Sequence, residues 1–206
     1  RPAFAWLAEH PDEASRYSET MVAVHGAEPP AVAAAYDFSS CGSIVDVGGA
    51  SGNVLGHVLA AHSQPRGVLF DLPQAMTDAP VRLHALGVAD RVTIQGGNAF
   101  DSVPPGADAY LLSHVLHDWN EEKCLTILRN CRDAMTPTSR LLIIELVLRQ
   151  GNAPGFGSSD MVMMALTGGA ERTAREFASL LARAGLTMTR VLPTTTSASI
   201  VEAQRA

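Results

Sequence analysis

From residue 43 onward the chain alternates short apolar runs with longer amphipathic stretches. The runs at 43–47, 66–70, 91–95, 108–113 and 140–147 have the length and aliphatic content of buried strands. Near 52–62, 73–86, 120–135, 159–167 and 173–184 apolar residues recur at helical spacing. Strands alternating with helices predict an α/β fold, with a mostly parallel sheet covered on both faces. The end of the chain breaks this rhythm. Segments 186–191 and 198–203 read as strands joined by a Pro-Thr-rich turn too short for a crossover helix, so they are expected to pair antiparallel. Residues 3–36 read as helical, punctuated by Pro11 and Pro29-Pro30, with Trp6, Leu7, Tyr17, Met21 and Val22 as apolar contacts. Gln150 to Ser159, with three glycines and a proline, is the one stretch that reads as flexible.

At 206 residues the chain is long enough for one α/β domain with a full core. Its 47% hydrophobic and 17% charged residues exclude a disordered or fibrous chain, and a net charge of −6 argues against a nucleic-acid surface. Neither a signal peptide nor an apolar run of spanning length is present, so no membrane role is expected. Cys41, Cys124 and Cys131 form no metal-ligand spacing. They read as buried thiols, which fits a reducing, cytoplasmic location. The chain opens on Arg1-Pro2 without an initiator methionine and is expected to be a fragment of a longer protein.

Ligands of open α/β sheets bind at the carboxyl ends of the strands, so the polar residues there are the candidate site. Ile44 to Gly52 (IVDVGGASG) is a buried strand entering a glycine-rich turn that opens a helix, a backbone a nucleoside can approach closely. Nineteen residues after Gly52 the second strand ends at Asp71, about the spacing at which a carboxylate meets ribose hydroxyls. The third strand leads into Gly96-Gly97-Asn98-Ala99-Phe100, the fourth into Ser113-His114-Val115-Leu116-His117-Asp118-Trp119, and the fifth carries Glu145. Glu171 stands in Gly168-Gly169-Ala170-Glu171-Arg172-Thr173.

These blocks, VDVGGASG, FDLP, GGNAF, HVLHDWNEEKC, IIE and GGAERTAREF, resemble in order and spacing the catalytic domain of the S-adenosylmethionine-dependent small-molecule O-methyltransferases. That group includes plant caffeate and flavonoid enzymes and bacterial antibiotic-tailoring ones. The resemblance covers roughly residues 40 to 206, and the HxxHDW block with GGxERT downstream is its specific part. It implies a Rossmann-like class I methyltransferase fold with a seven-stranded sheet of order 3-2-1-4-5-7-6, the last strand antiparallel and helices on both faces. Residues 37–206 would be the catalytic domain. Residues 1–36 would be a helical linker or lid that follows an absent N-terminal dimerisation domain.

The same resemblance assigns roles. Gly48, Gly49 and Gly52 would line the methionine part of S-adenosylmethionine, with S-adenosylhomocysteine as product. Asp71 would take the ribose hydroxyls. Leu72 and Phe100 would sandwich adenine, Asn98 and Ala99 would sit at its edge, and Ser113 and Trp119 would make further cofactor contacts. His117 matches the catalytic base, flanked by Glu145 and Glu171. His114, Asp118, Asp160, Met163 and Met164 would face a small aromatic acceptor. No metal is implied, and the full-length protein is expected to be a homodimer. Three positions depart from the family: Ala50 replaces a frequent glycine, Asn98 a frequent aspartate, and Ser113 a lysine of plant members.

The residue types suit the chemistry. A phenol of pKa ~10 is a weak nucleophile at neutral pH, and a histidine near ~6.5 can accept its proton. A nearby carboxylate stabilises the imidazolium that forms. Two alternatives stay open at this level: a relative that keeps the cofactor but hydroxylates or decarboxylates, and a non-catalytic binding module.

Overall fold

The computed structural model describes residues 23–149 and 168–206, together with Trp6, His10, Glu13, Arg16, Thr20 and Met21. Helix α1 (Glu28–Ala35) precedes strand β1 (Ser43–Val47), helix α2 (Asn53–Ala61) and strand β2 (Arg66–Asp71). Helix α3 (Ala79–Ala85), strand β3 (Val92–Gly96), strand β4 (Ala109–Ser113) and helix α4 (Glu121–Ala134) follow. Strand β5 (Arg140–Leu148), the two-residue strand β6 (Arg172–Thr173), helix α5 (Ala174–Arg183), strand β7 (Leu186–Pro193) and strand β8 (Ala198–Arg205) complete the order.

The sheet runs β3-β2-β1-β4-β5-β8-β7, with β6 beside β5. Strands β1 to β5 are parallel, whereas β8 is antiparallel to both β5 and β7. This is the expected order once the short β6 is counted. Two residues are too few to leave a periodic signal, which is why the sequence predicts seven strands and not eight.

Strand residues alternate strictly between the two faces. Val45, Val47, Tyr110, Leu112, Leu141, Ile143 and Val201 pack under α4 and α5, against Cys124, Leu128, Cys131, Phe177 and Leu181. Ile44, Leu69, Leu111, Leu142, Ile144 and Ile200 pack under α1, α2 and α3, against Val32, Leu55, Val58, Leu59 and Leu83. Each fully buried aliphatic side chain stabilises the fold by roughly 1.5–3 kcal/mol, so both helical layers are held firmly on the two faces of the sheet. All three cysteines are buried and unpaired, as expected.

Prolines account for the differences from the sequence reading. The segment 73–86 is a 3-10 turn (Pro73–Met76) followed by α3, because Pro80 has no N–H to continue a helix and sits at the start of the next one. Pro29 and Pro30 likewise occupy the first turn of α1, where their lost donors are unneeded. Trp6 is 39% exposed and stacks on His10. Leu7, Tyr17 and Val22, the predicted helix 159–167 and the stretch Gln150 to Ser159 lie outside the described residues. Among the described residues no helix is long and apolar enough to cross a membrane.

Candidate active site

Because β1 to β5 are parallel, their carboxyl ends form one edge, and the polar blocks of the sequence collect there. In the glycine turn Gly48 and Gly52 adopt left-handed backbones, φ +72° and +73°, and Ala50 follows at +45°. Gly49 answers to packing: a Cβ there would stand 2.5 Å from Leu69 Cδ1 and 2.6 Å from Asp46 Cγ. Gly52 is buried over Leu69 and Leu83 and gives its N–H to the Gly49 carbonyl. Beneath the turn, burial pushes the Asp46 carboxyl up to about 7.

Asp71 ties the turn to β2. Its Oδ2 accepts the Ala50 N–H at 2.9 Å and its Oδ1 the Leu72 N–H at 2.7 Å. Burial raises its pKa, and these two donors oppose the rise. The β2–β3 register sets Asp71 opposite Gly96, and Gly97 donates to the Asp71 carbonyl. Asn98 Oδ1 then accepts the Phe100 N–H at 3.0 Å, and Phe100 meets Trp119 edge to face at 5.0 Å. Ala99 is fixed through its carbonyl by Asn130. Leu72, 41% exposed, leaves an uncovered apolar side chain beside Asp71. Ser113 is half-buried at the end of β4.

His117 sits in a single 3-10 turn, Leu116–Asp118, between β4 and α4. The chain enters this turn through His114, a left-handed residue at φ +53° whose N–H reaches the Ile144 carbonyl. A non-glycine residue held there is a strained element of the kind found at functional sites. Buried Glu145 accepts the N–H groups of Leu116 at 2.7 Å and His117 at 3.1 Å. Glu171 meets the ring itself, its Oε1 lying 3.2 Å from His117 Nδ1. The flanking pair therefore divides its work: Glu171 touches the imidazole and Glu145 holds its backbone. Gly169 makes the first contact possible, since a Cβ there would collide with the His117 carbonyl oxygen. The β6–β5 bridge begins one residue after Glu171, at Arg172, which pairs with Val147.

A carboxylate only accepts, so Nδ1 carries the proton on the side of Glu171. Burial alone disfavours the imidazolium. The hydrogen bond to Glu171 and the charges of Glu145, Asp118 and Glu171 outweigh it and raise His117 to about 9. Asp118, with Oδ1 3.9 Å from Nε2, is pushed up to about 6 by burial. Burial likewise raises Glu145 to about 7, against the pull of His117, Arg172 and its two backbone donors.

Residues absent from the sequence reading complete the site. Glu28 of α1 joins His114 Nε2 at 2.6 Å and His25 Nδ1 at 3.2 Å, and the two rings lie 4.1 Å apart. Burial opposes its charge, yet the two histidines hold it near 2. The ligand atoms of these three residues fall within 4.8 Å of one another, a grouping that could hold a metal ion. Glu28 and His114 are 86 positions apart, so no spacing rule could have joined them. Arg172 is buried against the turn that carries His117. Asp160, Met163 and Met164 lie outside the described residues.

An O-methyltransferase domain family matches residues 1–187. A phenazine O-methyltransferase of Lysobacter antibioticus is 43% identical over 202 residues, 98% of this chain and 59% of that protein. A mitomycin biosynthesis 6-O-methyltransferase of Streptomyces lavendulae is 40% identical over 190 residues, 91% of this chain and 54% of its own length. The chain thus spans somewhat over half the length of these curated relatives. Among solved structures, NcsB1 of neocarzinostatin biosynthesis, in complex with S-adenosylmethionine and 2-hydroxy-5-methyl naphthoic acid, superposes with a TM-score of 0.92 at 32% identity. That match covers 100% of this chain and 62% of NcsB1.

Proposed function

Because the chain belongs to the O-methyltransferase domain family, we propose that it transfers a methyl group from S-adenosylmethionine to a phenolic hydroxyl of a small aromatic natural product, with His117 as general base. The observation that carries this reading is the His117–Glu171 contact at the strand-end edge, which leaves Nε2 as the proton acceptor. NcsB1 supports an aromatic acceptor, since its structure is a complex with both S-adenosylmethionine and a hydroxynaphthoic acid. By the family resemblance the complete protein works as a homodimer, which sedimentation analysis of the full-length chain tests.

The residues of the edge fit the cofactor. Each Asp71 oxygen takes one backbone donor from the described residues, and a carboxylate oxygen accepts two. The remaining lone pairs suit a ribose diol. Leu72 and Phe100 offer apolar faces for a flat base, with the Asn98 amide beside them. When bound, S-adenosylmethionine supplies an electrophilic methyl group on a sulfonium cation.

His117 takes the proton of the acceptor hydroxyl at Nε2. Its pKa of about 9 lies close to the ~10 of a phenol. Proton transfer to it costs about 1.4 kcal/mol, against about 5 kcal/mol for an unperturbed imidazole. The phenolate then lies beside an imidazolium whose other nitrogen is held by Glu171. Charge neutralisation between phenolate and sulfonium is favoured in a site that excludes water, and in-line placement of oxygen, methyl and sulfur lowers the barrier further.

Calorimetric titration of the full-length protein with S-adenosylhomocysteine tests the cofactor, and turnover with a panel of phenols tests the reaction. Strong weakening of binding by Asp71→Ala, with methyl ethers as products, is the expected result. A folded protein that does not bind the homocysteine product refutes the proposal. Binding without methyl transfer to any phenol favours the non-catalytic reading.

A further inference from the structure

The turn that carries His117 is only three residues of 3-10 helix, too short to hold itself in place. It is gripped from two sides. Glu145 accepts the N–H groups of Leu116 and His117, and Arg172 takes the carbonyls. Arg172 Nη1 donates to the carbonyls of Leu116 at 3.0 Å and Ala170 at 3.1 Å, and Nη2 to that of Trp119 at 3.2 Å. Cys124 lies 3.4 Å from Nη2 and turns its thiol to the same carbonyls of Leu116 and Trp119, at 3.2 and 3.3 Å. A buried cation thus meets the carbonyl side of the turn while a buried carboxylate meets its N–H side.

We propose that Arg172 is a positioning residue, which together with Glu145 clamps the backbone of Leu116–Trp119 and so sets the place of the His117 ring between Glu171 and the acceptor. The proposal rests on the methyl-transfer reading for the identity of the reaction only. The planar guanidinium is what the geometry requires, because its fork of donors reaches three carbonyls from a single buried site. A lysine ammonium is a point charge and cannot span them. The β6–β5 bridge pairs Arg172 with Val147 and Thr173 with Leu148, which anchors the clamp one residue after Glu171, the ring's partner.

The test compares Arg172→Lys, Glu145→Gln and the double variant in the full-length protein. The readouts are kcat and KM for cofactor and phenol, S-adenosylhomocysteine affinity, and the NMR-detected titration of His117 in the homocysteine complex. Arg172→Lys is expected to lower kcat by about 10–100-fold, the scale on which small misplacements of a reacting group act. Affinity for S-adenosylhomocysteine should fall far less than kcat, because Arg172 reaches the cofactor side only through the Trp119 carbonyl and does not touch Asp71. The His117 midpoint should fall as its alignment with Glu171 is lost. Both substitutions loosen one turn, so their defects should not multiply.

A variant that loses thermal stability but keeps kcat and the His117 midpoint overturns the proposal, and so do defects that multiply in the double variant. Should Arg172→Lys fail to fold, Cys124→Ala loosens the same carbonyls less severely and is held to the same criteria. A wild type that binds the homocysteine product yet methylates no phenol sinks the methyl-transfer reading alone. The His117 midpoint in the complex then still decides on the clamp.

Discussion

Glu171→Gln separates two ways in which a carboxylate can serve a histidine base. In the wild type the imidazolium is favoured by the rise from 6.5 to about 9, which is roughly 3 kcal/mol. Burial works against that rise, and the hydrogen bond from Nδ1 to Glu171 is the largest contribution in its favour. A glutamine keeps a carbonyl in reach of the Nδ1–H but removes the charge. Loss of an opposite charge at this distance should lower His117 by about 1.5 pH units, leaving Glu145 and Asp118 to hold the remainder. A base weaker by that amount faces a proton transfer about 2 kcal/mol less favourable. With about half of that expressed in the transition state, the rate of the deprotonated form falls about fivefold.

The two effects oppose each other. Above pH 9 both enzymes have a neutral His117, and the variant is slower by about fivefold. Near pH 7 only about 1% of the wild-type base is free of its proton, whereas about a quarter of the variant's is. The profiles of kcat/KM for the phenol should therefore cross near pH 8, with the variant faster below. The NMR titration of His117 in the cofactor-free protein supplies the midpoints independently. A variant slower by one constant factor at every pH, with an unmoved midpoint, refutes the electrostatic account. It would leave Glu171 as a fixture of ring orientation alone.

Gly169→Ala places a methyl group against the His117 carbonyl, so His117 and Glu171 must separate. Methyl transfer should drop by at least tenfold while S-adenosylhomocysteine still binds, and binding lost in parallel would place the damage elsewhere. Glu28, lowered from 4.5 to about 2, contributes stability that is present above pH 4.5 and fades as pH falls toward 2. Glu28→Gln should erase roughly 3 kcal/mol of that increment, so urea midpoints of the two proteins should converge in acid. Phe177, fully buried between α5 and the sheet, should cost about 3–5 kcal/mol when truncated to alanine, read from chemical denaturation at pH 7.

The blocks that could be read from the sequence are those whose physics is local. A strand that enters a left-handed glycine turn, such as Val47 to Gly52, has to announce its geometry in residue types, because few others tolerate φ near +70°. The periods of 2 and 3.6 likewise place Tyr110 and Leu111 on opposite faces before any coordinates exist. A single residue there can also answer to a packing demand of its own. Gly49 suits a ligand's approach from above, but the atoms that forbid a side chain are Leu69 and Asp46 below it.

What stayed hidden is the set of contacts that depends on folding distant segments together. Glu28 belongs to a helix whose composition says only that it packs, and its carboxylate gains a role because α1 lies against α2 and reaches His114. Arg172 stood in plain view within the GGAERT block, yet nothing in that string says that its partners are the carbonyls of residues 116 and 119. Backbone partners leave no residue-type signal, since every residue has a carbonyl. The histidine reading suffers in the same way. Residue type alone sets His117 near 6.5, and only the convergence of Glu171 and Glu145 from distant segments, with Asp118 beside it, raises it to about 9. The pH at which His117 titrates is therefore a property of the fold, and substitutions far from position 117 in the chain should tune it.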